Sequence, residues 1–106
     1  MFGDMMGKLQ EMQQKVQEAK AQLETISVSG ETTDGRVRAV VNGNRMVQSI
    51  HIDDSLRSGD PEEMEDMLII ALNKAMESAE AIQQKTMQEA SGELLPPHLM
   101  TMVNKR

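Results

Sequence analysis

The chain has no cysteine, no tryptophan and no tyrosine, and among its 106 residues there are one phenylalanine, two histidines and three prolines. Lack of cysteine excludes disulfides, thiolate nucleophiles and every cysteine-containing zinc module, and suits a reducing compartment. Scarcity of aromatics excludes the stacking platforms that hold single-stranded nucleic acid base by base. No apolar run approaches the roughly 18 residues of a membrane span. The N-terminus has no basic region followed by an apolar core, so the sequence predicts a cytoplasmic protein with neither membrane anchor nor signal peptide. Basic residues are also few, 11 against 17 acids for a net charge of −6, the reverse of the footprint that phosphate binding rewards.

Enzyme chemistry finds no foothold either. His51 and His98 belong to no ligand spacing, no serine sits in a nucleophile elbow, and the glycines are explained by turns. The acids from Glu62 to Asp66 suit the start of a helix. The expectation is therefore a protein with no catalytic residues, metal, cofactor or small-molecule substrate.

What is present is organised around residues 26–52. Asp34-Gly35 and Asn42-Gly43 are hairpin signals set between alternating apolar residues, which predicts three antiparallel strands in a meander. With two-residue turns, Val28 falls opposite Val41 and Ala39 opposite Met46; moving the second turn to Gly43-Asn44 shifts that pairing by two residues. One face then carries Ile26, Val28, Val37, Ala39, Val41, Met46, Ile50 and Ile52, interrupted by Gly30, Thr32 and Gln48. The other is polar and basic, with Arg36, Arg38 and Arg45 beside Val40 and Val47. A three-stranded sheet with one apolar face needs a cover.

Helical patterns flank it. Phe2, Met5, Leu9, Met12, Val16, Ala19, Leu23 and Ile26 recur at alternating spacings of three and four, an apolar seam over residues 1–25. Lys8 and Lys15 each follow an acid by four residues, which reads first as a paired, solvated face and alternatively, with Lys20 nearby, as a thin cationic ridge. After a loop over residues 53–60, Asp60-Pro61-Glu62-Glu63 combines a cap, a proline at the first helical position and an acid three residues on. A second long helix, continuous or broken, is predicted over residues 60–90. Its apolar face, broad from Met64 to Ala79, covers the sheet, and its narrower distal half extends as an arm. Ser91-Gly92 is a stop signal, and Pro96-Pro97 forbids helix in a predicted extended tail over residues 91–106. The fold class is α+β in a single domain, residues 1–106. One core this small is marginal when the helices project from it, and the exposed seam predicts a homodimer.

These residues resemble the YbaB/EbfC family of bacterial nucleoid-associated proteins. The resemblance is carried in order by Val28-Ser29-Gly30-Glu31, Asp34-Gly35-Arg36-Val37, Val41-Asn42-Gly43, Ile50-His51-Ile52-Asp53 with Leu56, Glu65 through Ala75, and Leu95-Pro96-Pro97. It implies a tweezer-like homodimer that binds double-stranded DNA, alters its conformation, and influences nucleoid organisation and gene expression. The helices are sparing in Lys and Arg, and His98 follows the two prolines where the family pattern has Gly.

Charge distribution nominates the contacts. Residues 36–52 carry three arginines and no acid, whereas residues 53–66 carry seven acids and one base. The candidate DNA-binding residues are accordingly Arg36, Arg38 and Arg45 on the sheet, with Lys8, Lys15 and Lys85 on the arms. A cross-strand ion pair from Glu31 to Arg38 would account for one arginine without any ligand. With no zinc finger, basic zipper or helix-turn-helix in the sequence, binding would rest on backbone and shape contacts. The alternative is a dimeric protein–protein adaptor with no nucleic-acid role.

Overall fold

The computed structural model describes residues 2–92; the expected extended tail and its Leu95-Pro96-Pro97 motif lie outside the described residues. A 23-residue helix α1 (Phe2–Glu24) leads into strands β1 (Ser27–Glu31), β2 (Val37–Asn42) and β3 (Val47–Ile52), then a one-turn helix α2 (Asp54–Arg57) and the long helix α3 (Pro61–Gly92). The strands form an antiparallel meander in the order β1-β2-β3. This is the α+β arrangement anticipated from the sequence. α3 is unbroken and ends two residues beyond its predicted limit.

The first hairpin has the expected register, with Val28 opposite Val41 and Glu31 opposite Arg38. Its turn closes by a hydrogen bond from the Gly35 N–H to the Thr32 carbonyl at 2.9 Å, with Gly35 at φ 74°. The Thr32 hydroxyl, buried in the turn, donates to Asp34 Oδ1 at 2.8 Å and accepts from the Val37 N–H at 3.2 Å.

The second hairpin departs from expectation. Ala39 pairs with Ile50 rather than Met46, because the loop is longer than two residues and the ladder carries a bulge between Val40 and Val41. Arg45 donates its N–H to the Asn42 carbonyl and takes a left-handed conformation at φ 64°, so it belongs to the turn and not to a strand face. The Asn42 side chain accepts from the N–H groups of Asn44 and Met46, an Asx arrangement that competes with a tight two-residue turn. The bulge places Val47 opposite Val41, on the face expected for Met46, but both side chains remain exposed.

The core is built from small side chains. Val37, Ala39 and Val41 of β2 meet Ala71, Ala75 and Ala79 of α3, with Leu56 of α2 closing one end. The alanines recur every four residues and form a single stripe, so the helix can approach the sheet closely. Gly30 marks the closest point. A Cβ there would collide with backbone atoms of Ala71, Lys74 and Ala75, so what reads in sequence as a gap in the apolar face is the helix contact itself. α3 packs over β1 and β2, while β3, apart from the half-buried Ile52, is exposed.

The segment expected as a loop contains α2. Asp53 caps it, accepting from the Ser55 N–H at 3.1 Å and the Ser55 hydroxyl at 2.6 Å, and these bonds hold the Asp53 carboxyl below the usual range. Asp60 caps α3 through the Glu62 N–H at 3.1 Å.

α1 is anchored where it meets the sheet. Leu23, fully buried, accepts at its carbonyl the Gly43 N–H at 2.9 Å, and a Cβ on Gly43 would strike Leu23. α3 crosses the sheet from the Arg36 end to the Arg45 end and then continues beside α1 in the opposite direction, with Thr86, Glu89 and Ala90 across a groove from Lys15, Ala19 and Gln22. The two helices form an arm projecting from the sheet. The radius of gyration is 19.0 Å, against about 13 Å for a compact chain of this length.

Candidate nucleic-acid interface

The six candidate cations do not converge on one patch. Arg36 and Arg45 lie at opposite ends of β2, a strand of six residues spanning about 20 Å, with Arg38 between them. Lys8 and Lys15 are on α1, and Lys85 is on the distal part of α3.

Arg36 is committed to internal partners. Its Nε donates to Asp34 Oδ2 at 2.8 Å, and one Nη2 serves both Glu63 Oε1 at 3.0 Å and the Met67 sulfur at 3.6 Å. Bonds from the Arg36 side chain and backbone N–H and from Thr32 pull the Asp34 carboxyl down to about 2; the same acids raise the Arg36 guanidinium above its ordinary value. Asp34 is visible beside Arg36 in the sequence, but Glu63 is 27 positions away and is delivered only by the path of α3. The consequence is local neutrality at this end of the sheet.

Arg38 is exposed on β2, between Glu31 on one neighbouring strand and His51 on the other. The cross-strand pairing with Glu31 is present in register, yet no ion pair joins the two. Instead, the Lys74 ammonium donates to the Glu31 carbonyl at 3.0 Å.

Arg45 occupies the turn at the base of the arm. The neighbouring Asn44 side-chain amide donates to the Lys20 carbonyl at 3.0 Å and fastens this turn to α1. Arg45 also borders a shallow groove of about 460 Å³ with Asn44, Asn73, Met76, Glu77 and Glu80. The link between the turn and α1 has no signal in the sequence, because Asn44 reads there as an ordinary turn residue.

On the arm, Lys8 and Lys85 are exposed, and Lys15 is half-buried in the groove between α1 and α3 near Glu18 and Glu89. Lys8 and Lys15 are seven residues apart and so share one side of α1 at about 10 Å separation. Among the described residues no three His, Asp or Glu side chains are grouped to hold a metal, and no helix is long and apolar enough to cross a membrane.

The family profile described as the YbaB/EbfC DNA-binding family matches residues 1–94. A nucleoid-associated protein of Flavobacterium johnsoniae is 43% identical over 81 residues, which is 76% of each chain. Another from Chlorobaculum tepidum is 38% identical over 96 residues, 91% of this chain and 86% of the relative. Among solved structures, an uncharacterized protein of Helicobacter pylori superimposes with a TM-score of 0.64 at 25% identity, over 73% of this chain and 90% of that one.

Proposed function

Because the chain belongs to the YbaB/EbfC DNA-binding family, we propose that it binds duplex DNA in the nucleoid as a tweezer-like homodimer, gripping the phosphate backbone and altering the conformation of the duplex. The observation that carries this reading is the placement of Arg45: exposed, in a turn fastened to α1, at the junction of sheet and arm. From there Arg38 continues along the sheet and Lys8, Lys15 and Lys85 along the arm. Arg36 contributes least, since Asp34 and Glu63 already neutralise it.

Negative total charge is compatible with such a footprint. Exposed charges farther apart than about 8 Å are substantially screened at physiological salt. Of the acids of residues 53–66, Asp60, Glu62, Glu63, Glu65 and Asp66 cluster at the start of α3, where Glu63 marks the Arg36 end of the sheet, away from Arg45; the acids beside Arg45 are Glu77 and Glu80 of its groove. With contacts made to phosphates rather than base edges, sequence preference is weak and salt dependence is steep. The apolar surface left on β3 and on the outer side of α3, including Met46, Val47, Ile50, Ile69 and Ile70, supports pairing with a second copy, which doubles the cationic set.

Gel-shift assays with two unrelated duplexes test the proposal: both shift at comparable protein concentrations near 50 mM salt, and binding weakens steeply toward 200 mM. The neutralised Arg36 and the net charge of −6 favour the adaptor as the second reading, and absence of any shift near 50 mM salt selects it.

A further inference from the structure

The apolar seam of α1 is covered along only half its length. Leu23 and Ala19 are buried and Val16 and Met12 half-buried, but Leu9 is 58% exposed and Met5 64%. The reason is the length of α3. Ala90 lies level with Lys15 across the groove, and α3 ends two residues later at Gly92. The first ten residues of α1, about 15 Å of helix, run on beyond it, and there the seam residues Met5 and Leu9 are uncovered by any described element.

The sequence resumes at that point with what this face lacks. Residues 93–106, which follow Gly92 in the chain, carry Leu94, Leu95, Leu99, Met100, Met102 and Val103. They are long enough, since five residues of extended chain span about 15 Å, and Pro96-Pro97 favours an extended path. Met5 and Leu9 present a surface that can adjust to such a segment, methionine being unbranched and readily repacked. We propose that the segment after α3 docks in cis along the Met5–Leu9 seam of its own α1, completing the outer half of the arm. This goes beyond DNA binding and does not depend on it.

Because the chain has no cysteine, the contact can be trapped in the full-length protein. Leu9→Cys combined with Leu95→Cys is expected to form a disulfide within one chain on mild oxidation. The control pair Gln10→Cys with Leu95→Cys, which starts from the side of α1 away from the seam, is expected to remain largely reduced. Amide exchange of residues 5–12 is expected to speed up severalfold in Leu94→Ser/Leu95→Ser/Leu99→Ser. Equal oxidation of the two pairs together with unchanged exchange overturns the docking. So does a bond formed only between chains when Leu9→Cys and Leu95→Cys proteins are mixed, which would assign the seam to a second copy.

Discussion

Arg36 and Glu63 are joined Nη2 to Oε1 at 3.0 Å, tying the approach to β2 to the first turn of α3. A cation that looks available in sequence is thereby converted into a link between sheet and helix, while its neighbours Arg38 and Arg45 form no ion pair among the described residues. Arg36→Ala is expected to lower the melting temperature measurably and to change duplex affinity less than removal of Arg38 does. Parallel thermal melts and binding isotherms check this; an affinity loss equal to that of Arg38→Ala would return Arg36 to the DNA contacts.

The same link gives the protein an acid sensitivity. Asp34 titrates at about 2 in the folded chain and near 3.9 in an unfolded one, so its contribution is fully present above about pH 5 and is lost as the pH falls toward 2. Asp53, also lowered, acts in the same direction. Melting temperature is expected to hold from pH 7 to 5 and to drop below pH 4, with a smaller drop in Asp34→Asn. A wild-type curve that is flat to pH 2 would contradict the assignment.

Close approach of α3 to β1 rests on Gly30. Gly30→Ala forces a methyl into the backbone of α3 and is expected to cost about 1–3 kcal/mol, the range for overpacking a well-packed core. Leu23→Ala, at the fully buried base of α1, is expected to cost about 2–5 kcal/mol. Urea denaturation measures both; a Gly30→Ala protein as stable as wild type would show that the helix and sheet can separate freely.

Much of this architecture is legible in the sequence because its signals are local. The seam of α1, the Asp60-Pro61 start of α3 and the register of the first hairpin all follow from residues close together in the chain. Less legible is the second hairpin, where the Asn42 side chain and the left-handed Arg45 lengthen the turn and the bulge puts Val47 opposite Val41. The short helix α2 reads as loop because its only marks are the Asp53 cap and a single buried Leu56. At the interface, the acid-free run of residues 36–52, with Arg36, Arg38 and Arg45, suggests one patch. Tertiary structure separates them, since Glu63 arrives from 27 residues away and Arg45 belongs to the arm's base.

Assembly is the next expectation. Met46, Val47, Ile50, Ile69 and Ile70 expose apolar surface that a second copy can bury, so the chain is expected to sediment as a dimer at tens of micromolar, on the order of working concentrations. Ile50→Glu is expected to shift it toward monomer while leaving the helical content intact. A monodisperse wild-type monomer would remove the dimer from the account.

Arg45 permits charge and fold to be separated. A non-glycine residue in the left-handed region is strained, so Arg45→Gly is expected to keep the fold at wild-type stability or up to about 1 kcal/mol above it. Any loss of affinity in this variant then reports the missing charge rather than unfolding.

The central claim is phosphate-backbone binding by an acidic chain, and the salt dependence of its affinity for a duplex tests it most directly. The wild type is expected to bind unrelated duplexes alike, with log affinity falling linearly against log salt. Arg38→Ala/Arg45→Gly should bind every duplex more weakly and flatten that slope by about 0.9 for each phosphate it no longer neutralises. No binding by the wild type near 50 mM salt, or an unchanged slope in that variant and in Lys8→Ala/Lys85→Ala alike, would contradict it.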